Sequence, residues 1–204
     1  DDGFRMKSRR LLAKMFREQF AGRMRSEGFL TEQMLRFALD RFLDTEATRA
    51  IEQVIAVEHT LRGRLMTPAG RSVACTATLD RIDLLSDGTV LVIDYKSGSS
   101  RREPRREIIE GVPSGRAAIA GIMQSTQIPL SIHLCRAGFP DRQVAGAYYY
   151  LREAAIVRLF TWRGTERSDT EQALKNCLAA TGGIVDEILD PAVPFAANPL
   201  SPEE

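Results

Sequence analysis

The 204-residue sequence has few of the residues that mark secreted, membrane-spanning or zinc-binding proteins. Its three cysteines, Cys75, Cys135 and Cys177, are isolated, so the sequence predicts neither a disulfide framework nor a C-x-x-C zinc site. No apolar run approaches the roughly 20 residues that span a bilayer, and no signal peptide is visible. We therefore expect a cytoplasmic protein with reduced thiols and no membrane partner.

Lysine is scarce as well, because the 28 basic residues comprise 24 arginines and only 4 lysines. The net charge of +1 does not by itself require a nucleic-acid partner. One lysine, Lys96, is followed closely by a basic cluster at Arg101, Arg102, Arg105 and Arg106. Such a cluster fits a solvated loop or a set of phosphate contacts equally well.

An apolar strand that ends in charged residues is the most informative feature present. Residues 89–93 are apolar on both faces, which is typical of a buried strand, and Asp94, Tyr95 and Lys96 follow directly. Because side chains alternate along a strand, Asp94 and Lys96 share one side and Tyr95 points to the other. Buried charges are costly unless they pair with each other, a metal or a ligand.

The periodicity along the chain predicts alternating helical and strand regions. Pro129 is tolerated only in the first turn of a helix, so we expect one helix to begin near Thr126. Residues 98–116, rich in Gly, Ser, Pro and charge, favour a mobile loop. The other predicted elements are helices at 4–25, 31–57 and 168–189, and strands at 57–66, 72–85, 89–97, 144–152 and 155–162.

The turn between the second and third strands decides which acid faces Asp94. A two-residue turn at 87–88 would place Arg81 opposite Asp94, whereas a three-residue loop at 86–88 would place Asp80 there. Both turns suit the sequence. Only the longer loop assembles two carboxylates and the lysine ammonium on one face.

Two carboxylates, a backbone carbonyl and water are the ligands that Mg²⁺ or Mn²⁺ prefers. A neighbouring lysine can orient or deprotonate water, or stabilise charge on a phosphoryl oxygen. Those groups suffice for phosphodiester hydrolysis without a covalent nucleophile. The alternative is a structural ion pair between Asp94 and Lys96.

Three ordered motifs resemble those of a known family. Leu-Asp-Arg-Ile-Asp at 79–83, Ile-Asp-Tyr-Lys-Ser-Gly at 93–98 and Gln-Ile-Pro-Leu at 127–130 resemble the PD-(D/E)XK nuclease superfamily. More narrowly, they resemble the C-terminal nuclease domain of AddB- and RecB-type recombination proteins, over about residues 57–135. The resemblance implies an α/β fold with a restriction-endonuclease-like core, in which helices flank a central mixed sheet.

Periodicity and composition, together with this resemblance, predict a division of the chain, and the motifs imply a set of site residues. A helical segment at 1–56 would pack on a nuclease core at 57–190, and an extended tail would occupy 191–204. The motifs assign Asp80, Asp94 and the Tyr95 carbonyl to a Mg²⁺ or Mn²⁺ ion, Lys96 as the catalytic lysine, and Gln127 to the DNA end of the site.

Further residues are assigned from their positions on the neighbouring strands and loops. Glu58 matches an acid often found on the preceding strand, although it also fits an ordinary surface charge. Asp83 is interpreted as a pairing residue, and Arg81 as a pairing residue or a DNA contact. Ser131 stands where many relatives have tyrosine. The remaining DNA contacts are assigned to the basic cluster, at Arg101, Arg102 and Arg105.

The implied activity is metal-dependent hydrolysis of DNA, of the exonuclease type. The resemblance places the domain in a helicase–nuclease complex for double-strand-break repair and recombination. Because no Walker A motif is present, helicase activity would belong to a partner subunit or to other domains of a longer chain. The rivals are a catalytically silent, nuclease-derived DNA-binding module and a structural domain whose acids are merely ion-paired.

Overall fold

The computed structural model describes residues 2–20, 26–98 and 101–194. These residues form an α/β protein with one five-stranded sheet. The elements in chain order are α1 Asp2–Phe20, α2 Ser26–Thr48, β1 Ile51–Met66, β2 Ser72–Leu85, β3 Val90–Lys96, a 3₁₀ helix Arg106–Ile109, α3 Arg116–Met123, α4 Gln127–Arg136, β4 Val144–Tyr150, β5 Ala155–Arg158 and α5 Arg167–Ile188.

The sheet is mixed, and its strands lie side by side in chain order. β1, β2 and β3 form an antiparallel meander. β3 and β4 run in the same direction, because Val90 N donates to Gln143 O at 2.8 Å and Leu151 N donates to Lys96 O at 2.9 Å. The connection between them contains α3 and α4, as a parallel pair requires. The predicted fold class is confirmed.

β3 forms the centre of the core. Its residues Val90 to Ile93 are at most 1% exposed, as expected for a strand that is apolar on both faces. Tyr148, Tyr149 and Tyr150 on neighbouring β4 are also fully buried. The buried part of β3 therefore extends as far as Asp94.

Two glycines let helices approach the sheet closely. A Cβ on Gly146 of β4 would lie 2.2 Å from Ile128 Cγ2, so α4 sits directly on the strand backbone. A Cβ on Gly182 of α5 would lie 2.8 Å from Pro68 Cδ, in the turn between β1 and β2. These contacts leave no room for a methyl group. They set the distance of α4 and α5 from their neighbours.

The chain divides into two compact units, the first made of residues 1–50, 96–99 and 149–156 and the second of the remaining residues. Within the first, Arg9 forms a bidentate pair with Asp40, at 2.8 Å for both bonds, which joins α1 to α2. The Phe42 ring packs 5.1 Å from that of Tyr149, and Thr45 Oγ1 donates to Ala154 O. α2 is thereby held to the turn between β4 and β5.

The predicted helix at 31–57 is wrong at its C-terminal end. α2 ends at Thr48, and residues 51–57 belong to β1. Ile51, Val54 and Ile55 have helical spacing, but they are β-branched and pack well in a strand. Short apolar runs of this kind satisfy both periodicities, so pairing with β2 decides the outcome.

The interpretation of 98–116 as a mobile loop is also wrong in part. The segment contains the 3₁₀ helix, where Ile108 is fully buried and its carbonyl accepts a hydrogen bond from Asn176 Nδ2 at 2.7 Å. α3 was not predicted. Parts of other predictions, residues 21–25 of the first helix and 195–204 of the tail, lie outside the described residues.

The cysteines are free, as predicted. Burial raises the pKa of Cys135 to about 11 and that of Cys177 to about 12, so neither is a thiolate at neutral pH. Among the described helices, none combines the length and apolar character needed to cross a membrane.

Candidate active site

The β2–β3 hairpin has the three-residue loop at 86–88. Leu85 N donates to Thr89 O at 2.9 Å, which closes the loop, and Gly88 N donates back to Leu85 O. Gly88 has a φ of 82°, a conformation that glycine adopts without steric cost. The longer of the two turns compatible with the sequence is therefore the one that forms.

This loop places Asp80 opposite Asp94. Arg81 pairs with Ile93 in the ladder, so one further step along each strand brings the two acids together. The recorded ladder ends at Arg81 and Ile93, and a ladder continued by one residue would place the acids at a non-hydrogen-bonded position, where facing Cα atoms are typically about 4.5 Å apart. Asp80 Oδ2 accepts a hydrogen bond from Tyr95 N at 2.6 Å, which fixes its carboxylate beside β3.

Asp94 is 5% exposed and is joined to the first residue of α4. Its Oδ1 accepts a hydrogen bond from Gln127 Nε2. Pro129 lies in the first turn of α4, where its missing N–H has no cost, so the helix begins where the sequence predicts. The structure thus brings together Asp80, Asp94 and Gln127, which the motifs single out from three separate segments.

An ion pair occupies the opposite face of the same hairpin. Arg81 Nε donates to Asp83 Oδ1 at 2.6 Å, and Arg81 Nη1 donates to the Tyr95 hydroxyl at 3.4 Å. Asp83 is fully buried. Alternation along β2 therefore places Arg81 and Asp83 on the side of the strand opposite to Asp80, where the Arg81 guanidinium pairs with Asp83.

Glu58 lies on β1 at the level of Asp80, since its neighbours Val57 and His59 pair with Arg81 and Leu79. It is exposed, and its φ of 47° is rare for a residue with a side chain. Such a conformation costs about 1–3 kcal/mol and is found preferentially at functional sites. Three acids therefore occupy one level across β1, β2 and β3.

The other predicted site residues lie on the segment that follows Asp94. Lys96 is the last residue of β3 and falls in the first unit, where it is half-buried. Arg101, Arg102 and Arg105 are exposed. Arg105 N donates to Ile122 O at 2.8 Å, which ties this segment to α3, the helix that leads towards Gln127.

The residues present fit a hard divalent cation. Asp80 and Asp94 offer carboxylate oxygens on facing strands, and Tyr95 offers a backbone carbonyl between Asp94 and the end of β3. Within the described residues, no group of three or more His, Cys, Asp or Glu side chains is arranged to hold a metal ion. The fit therefore rests on two carboxylates, completed by the carbonyl and by water.

The sequence did not reveal the two serines that hold Gln127. Ser125 Oγ accepts a hydrogen bond from Gln127 N at 3.2 Å, and Ser131 Oγ donates to Gln127 O at 2.8 Å. Ser131 lies four residues after Gln127, the spacing at which a helical serine reaches a preceding carbonyl. The four-residue spacing between Gln127 and Ser131 is the sequence signal that could have predicted the Ser131 contact.

A five-stranded mixed sheet with two facing aspartates at the end of a core strand defines an α/β protein with a candidate metal-dependent hydrolytic site. The family model of the PD-(D/E)XK nuclease superfamily matches residues 4–200, and the chain belongs to this superfamily. Membership suggests nuclease activity and implies a DNA substrate, and such nucleases typically use divalent metals. A comparison with curated proteins found no match.

Proposed function

We propose that this protein is a Mg²⁺- or Mn²⁺-dependent deoxyribonuclease of the exonuclease type. The observation that carries the proposal is the placement of Asp80 next to Asp94, the last buried residue of β3. A structural ion pair with Lys96 does not account for a second carboxylate at the same level of the neighbouring strand. A metal site does, because a divalent cation neutralises two facing acids.

The residues have distinct roles in this reaction. Asp80, Asp94 and the Tyr95 carbonyl would hold the metal ion, which would supply charge neutralisation at the phosphate and a more acidic water. Gln127 orients the Asp94 carboxylate through its hydrogen bond. Lys96 follows Asp94 by two residues, so strand alternation favours a role in orienting water or stabilising the phosphate. Glu58 is a further acid at the level of Asp80.

The exposed arginines of the segment after β3 suit phosphate contacts. Arg101, Arg102 and Arg105 precede the 3₁₀ helix, and guanidinium groups bind phosphate oxygens through paired hydrogen bonds. The three motifs resemble those of AddB- and RecB-type proteins, and this resemblance supports a role as the nuclease module of a helicase–nuclease complex that processes broken DNA ends. In such a complex the partner subunit, or other domains of a longer chain, would deliver the strand.

The proposal is tested with end-labelled linear single- and double-stranded DNA, in Mg²⁺, Mn²⁺ or EDTA. We compare the parent with Asp94→Asn, Lys96→Met and the control Asp141→Asn, which removes an exposed acid elsewhere in the second unit. We expect cleavage by the parent and the control, no cleavage in EDTA, and a loss of at least about 100-fold in both site variants. Metal-independent cleavage, or full activity of Asp94→Asn, would refute the proposal. Binding without cleavage would instead identify a silent DNA-binding module.

A further inference from the structure

The connection between α3 and α4 contains a strained residue three positions before Gln127. Gln124 has a φ of 61° and a ψ of −44°, and Ser125 N donates to Met123 O at 2.6 Å. A hydrogen bond between residues two apart around a positive φ defines a γ-turn of the rare, strained type. Glycine would adopt this conformation freely, yet the chain places glutamine there.

The glutamine side chain helps to retain this turn. Gln124 Nε2 donates to Gly121 O at 3.0 Å, which satisfies one of the carbonyls that the end of α3 leaves without a helical partner. The turn therefore ends α3 and redirects the chain within three residues, so that Gln127 begins the next helix. Strain that is retained in this way is characteristic of positions that align a functional group.

Both backbone polar groups of Gln127 are held by serine hydroxyls. Ser125 contacts its N–H from the connection, and the fully buried Ser131 contacts its carbonyl from the next turn of α4. The side-chain amide is then bonded to Asp94 Oδ1. An exposed glutamine has three rotatable side-chain bonds, so a fixed backbone sharply reduces the amide positions available to it.

We propose that Gln124, Ser125 and Ser131 form a positioning brace, which holds the Gln127 amide on Asp94 and thereby sets the direction of this carboxylate. The effect of the brace on metal binding rests on the proposed function, in which Asp94 is a metal ligand. The brace is defined by its own hydrogen bonds. It also assigns a role to the hydroxyl of Ser131.

The experiment uses the whole chain and a matched control. Ser131→Ala and Ser125→Ala each remove one hydroxyl of the brace. Thr181→Val is the control, because Thr181 also donates a buried hydroxyl bond to the carbonyl four residues earlier, Cys177 O at 2.8 Å, but on α5. Gln124→Gly permits the positive φ, whereas Gln124→Val opposes it.

Two readouts separate the brace from the activity. The first is the exchange protection of the Gln127 side-chain amide in ¹⁵N spectra without metal. The second is Mn²⁺ affinity by calorimetry. We expect Ser131→Ala and Ser125→Ala to lose the amide protection and to bind Mn²⁺ about three- to tenfold more weakly, while Thr181→Val matches the parent in both. Gln124→Val should lose more affinity than Gln124→Gly.

Several outcomes would overturn the inference. Unchanged amide protection in both serine variants would show that the hydroxyls do not hold Gln127. An equal loss of amide protection and Mn²⁺ affinity in Thr181→Val would show that the effect comes from a general loss of stability and not from the brace. If the serine variants lose the amide protection as expected but the parent protein binds no Mn²⁺, the proposed function and the role of Asp94 as a metal ligand are both wrong. If the serine variants bind Mn²⁺ more weakly but keep the Gln127 amide protection, only the brace is refuted.

Discussion

Replacing Arg81 with methionine should destabilise the protein strongly, although Arg81 lies one residue from a candidate metal ligand. Asp83 is fully buried, and the Arg81 side chain beside it is 12% exposed. Removing one partner of a buried, hydrogen-bonded ion pair costs about 3–5 kcal/mol. For a chain of this size the melting temperature should fall by roughly 6–20 °C. Thermal unfolding followed by circular dichroism measures this change.

Two companion variants make the test specific. The double variant Arg81→Met with Asp83→Leu removes both charges and should recover most of the lost stability, because apolar residues can replace a buried pair at little cost. Asp80→Asn, one residue away on the other face, keeps an acceptor for Tyr95 N and should shift the free energy of unfolding by less than about 1 kcal/mol. We expect Asp80→Asn to abolish cleavage instead.

A melting temperature for Arg81→Met within about 2 °C of the parent would refute the buried-pair argument. An equally large fall for Asp80→Asn would refute the division of the hairpin into a structural face and a chemical face. The comparison is informative because the two positions are adjacent in sequence and differ mainly in the side of β2 that they occupy.

Two further predictions concern the packing and charges of α5. Gly182→Ala should destabilise the protein by about 1–3 kcal/mol, because the added methyl group would meet Pro68. Gly183→Ala has open space around the added methyl group, so it should be neutral or stabilise the protein by up to about 1 kcal/mol. Urea unfolding measures both free energies, and a larger loss for Gly183→Ala than for Gly182→Ala would contradict this packing. The hydrogen-bonded guanidinium of Arg136 lowers the pKa of Glu171, so this pair stabilises the folded state above the ordinary glutamate pKa, and that contribution is lost as the pH falls through the lowered value. Glu171→Gln should therefore weaken the dependence of unfolding free energy on pH below about 5, and an unchanged pH profile would count against this coupling.

Local sequence signals predicted the elements that carry the strongest patterns. β3 was predictable because apolar, mostly β-branched residues fill both faces up to Asp94, and the start of α4 followed from Pro129. The end of α2 was not predictable, because the pattern of residues 51–57 fits a helix and a strand equally well. Pairing with β2 decides that they form a strand. The buried 3₁₀ helix was also missed, since Asn176, which anchors it, lies almost 70 residues away.

The sequence by itself determined which residues could form the site. It placed an acid at the end of a buried strand, a second acid on the preceding strand, and a glutamine at the start of a helix. It left two registers open, because loops of two and of three residues both suit 86–88. A shift of one residue reverses every side chain on a strand, so local chemistry does not settle such a choice.

The tertiary structure decided that choice. Pairing of β2 with β3 over their apolar residues selected the three-residue loop, which put Asp80 opposite Asp94 and buried Arg81 with Asp83 on the other side. It also brought α4 onto Gly146, close enough for Gln127 to reach Asp94. Contacts between distant segments depend on the packing of whole elements, and for this reason they were not readable from the local sequence.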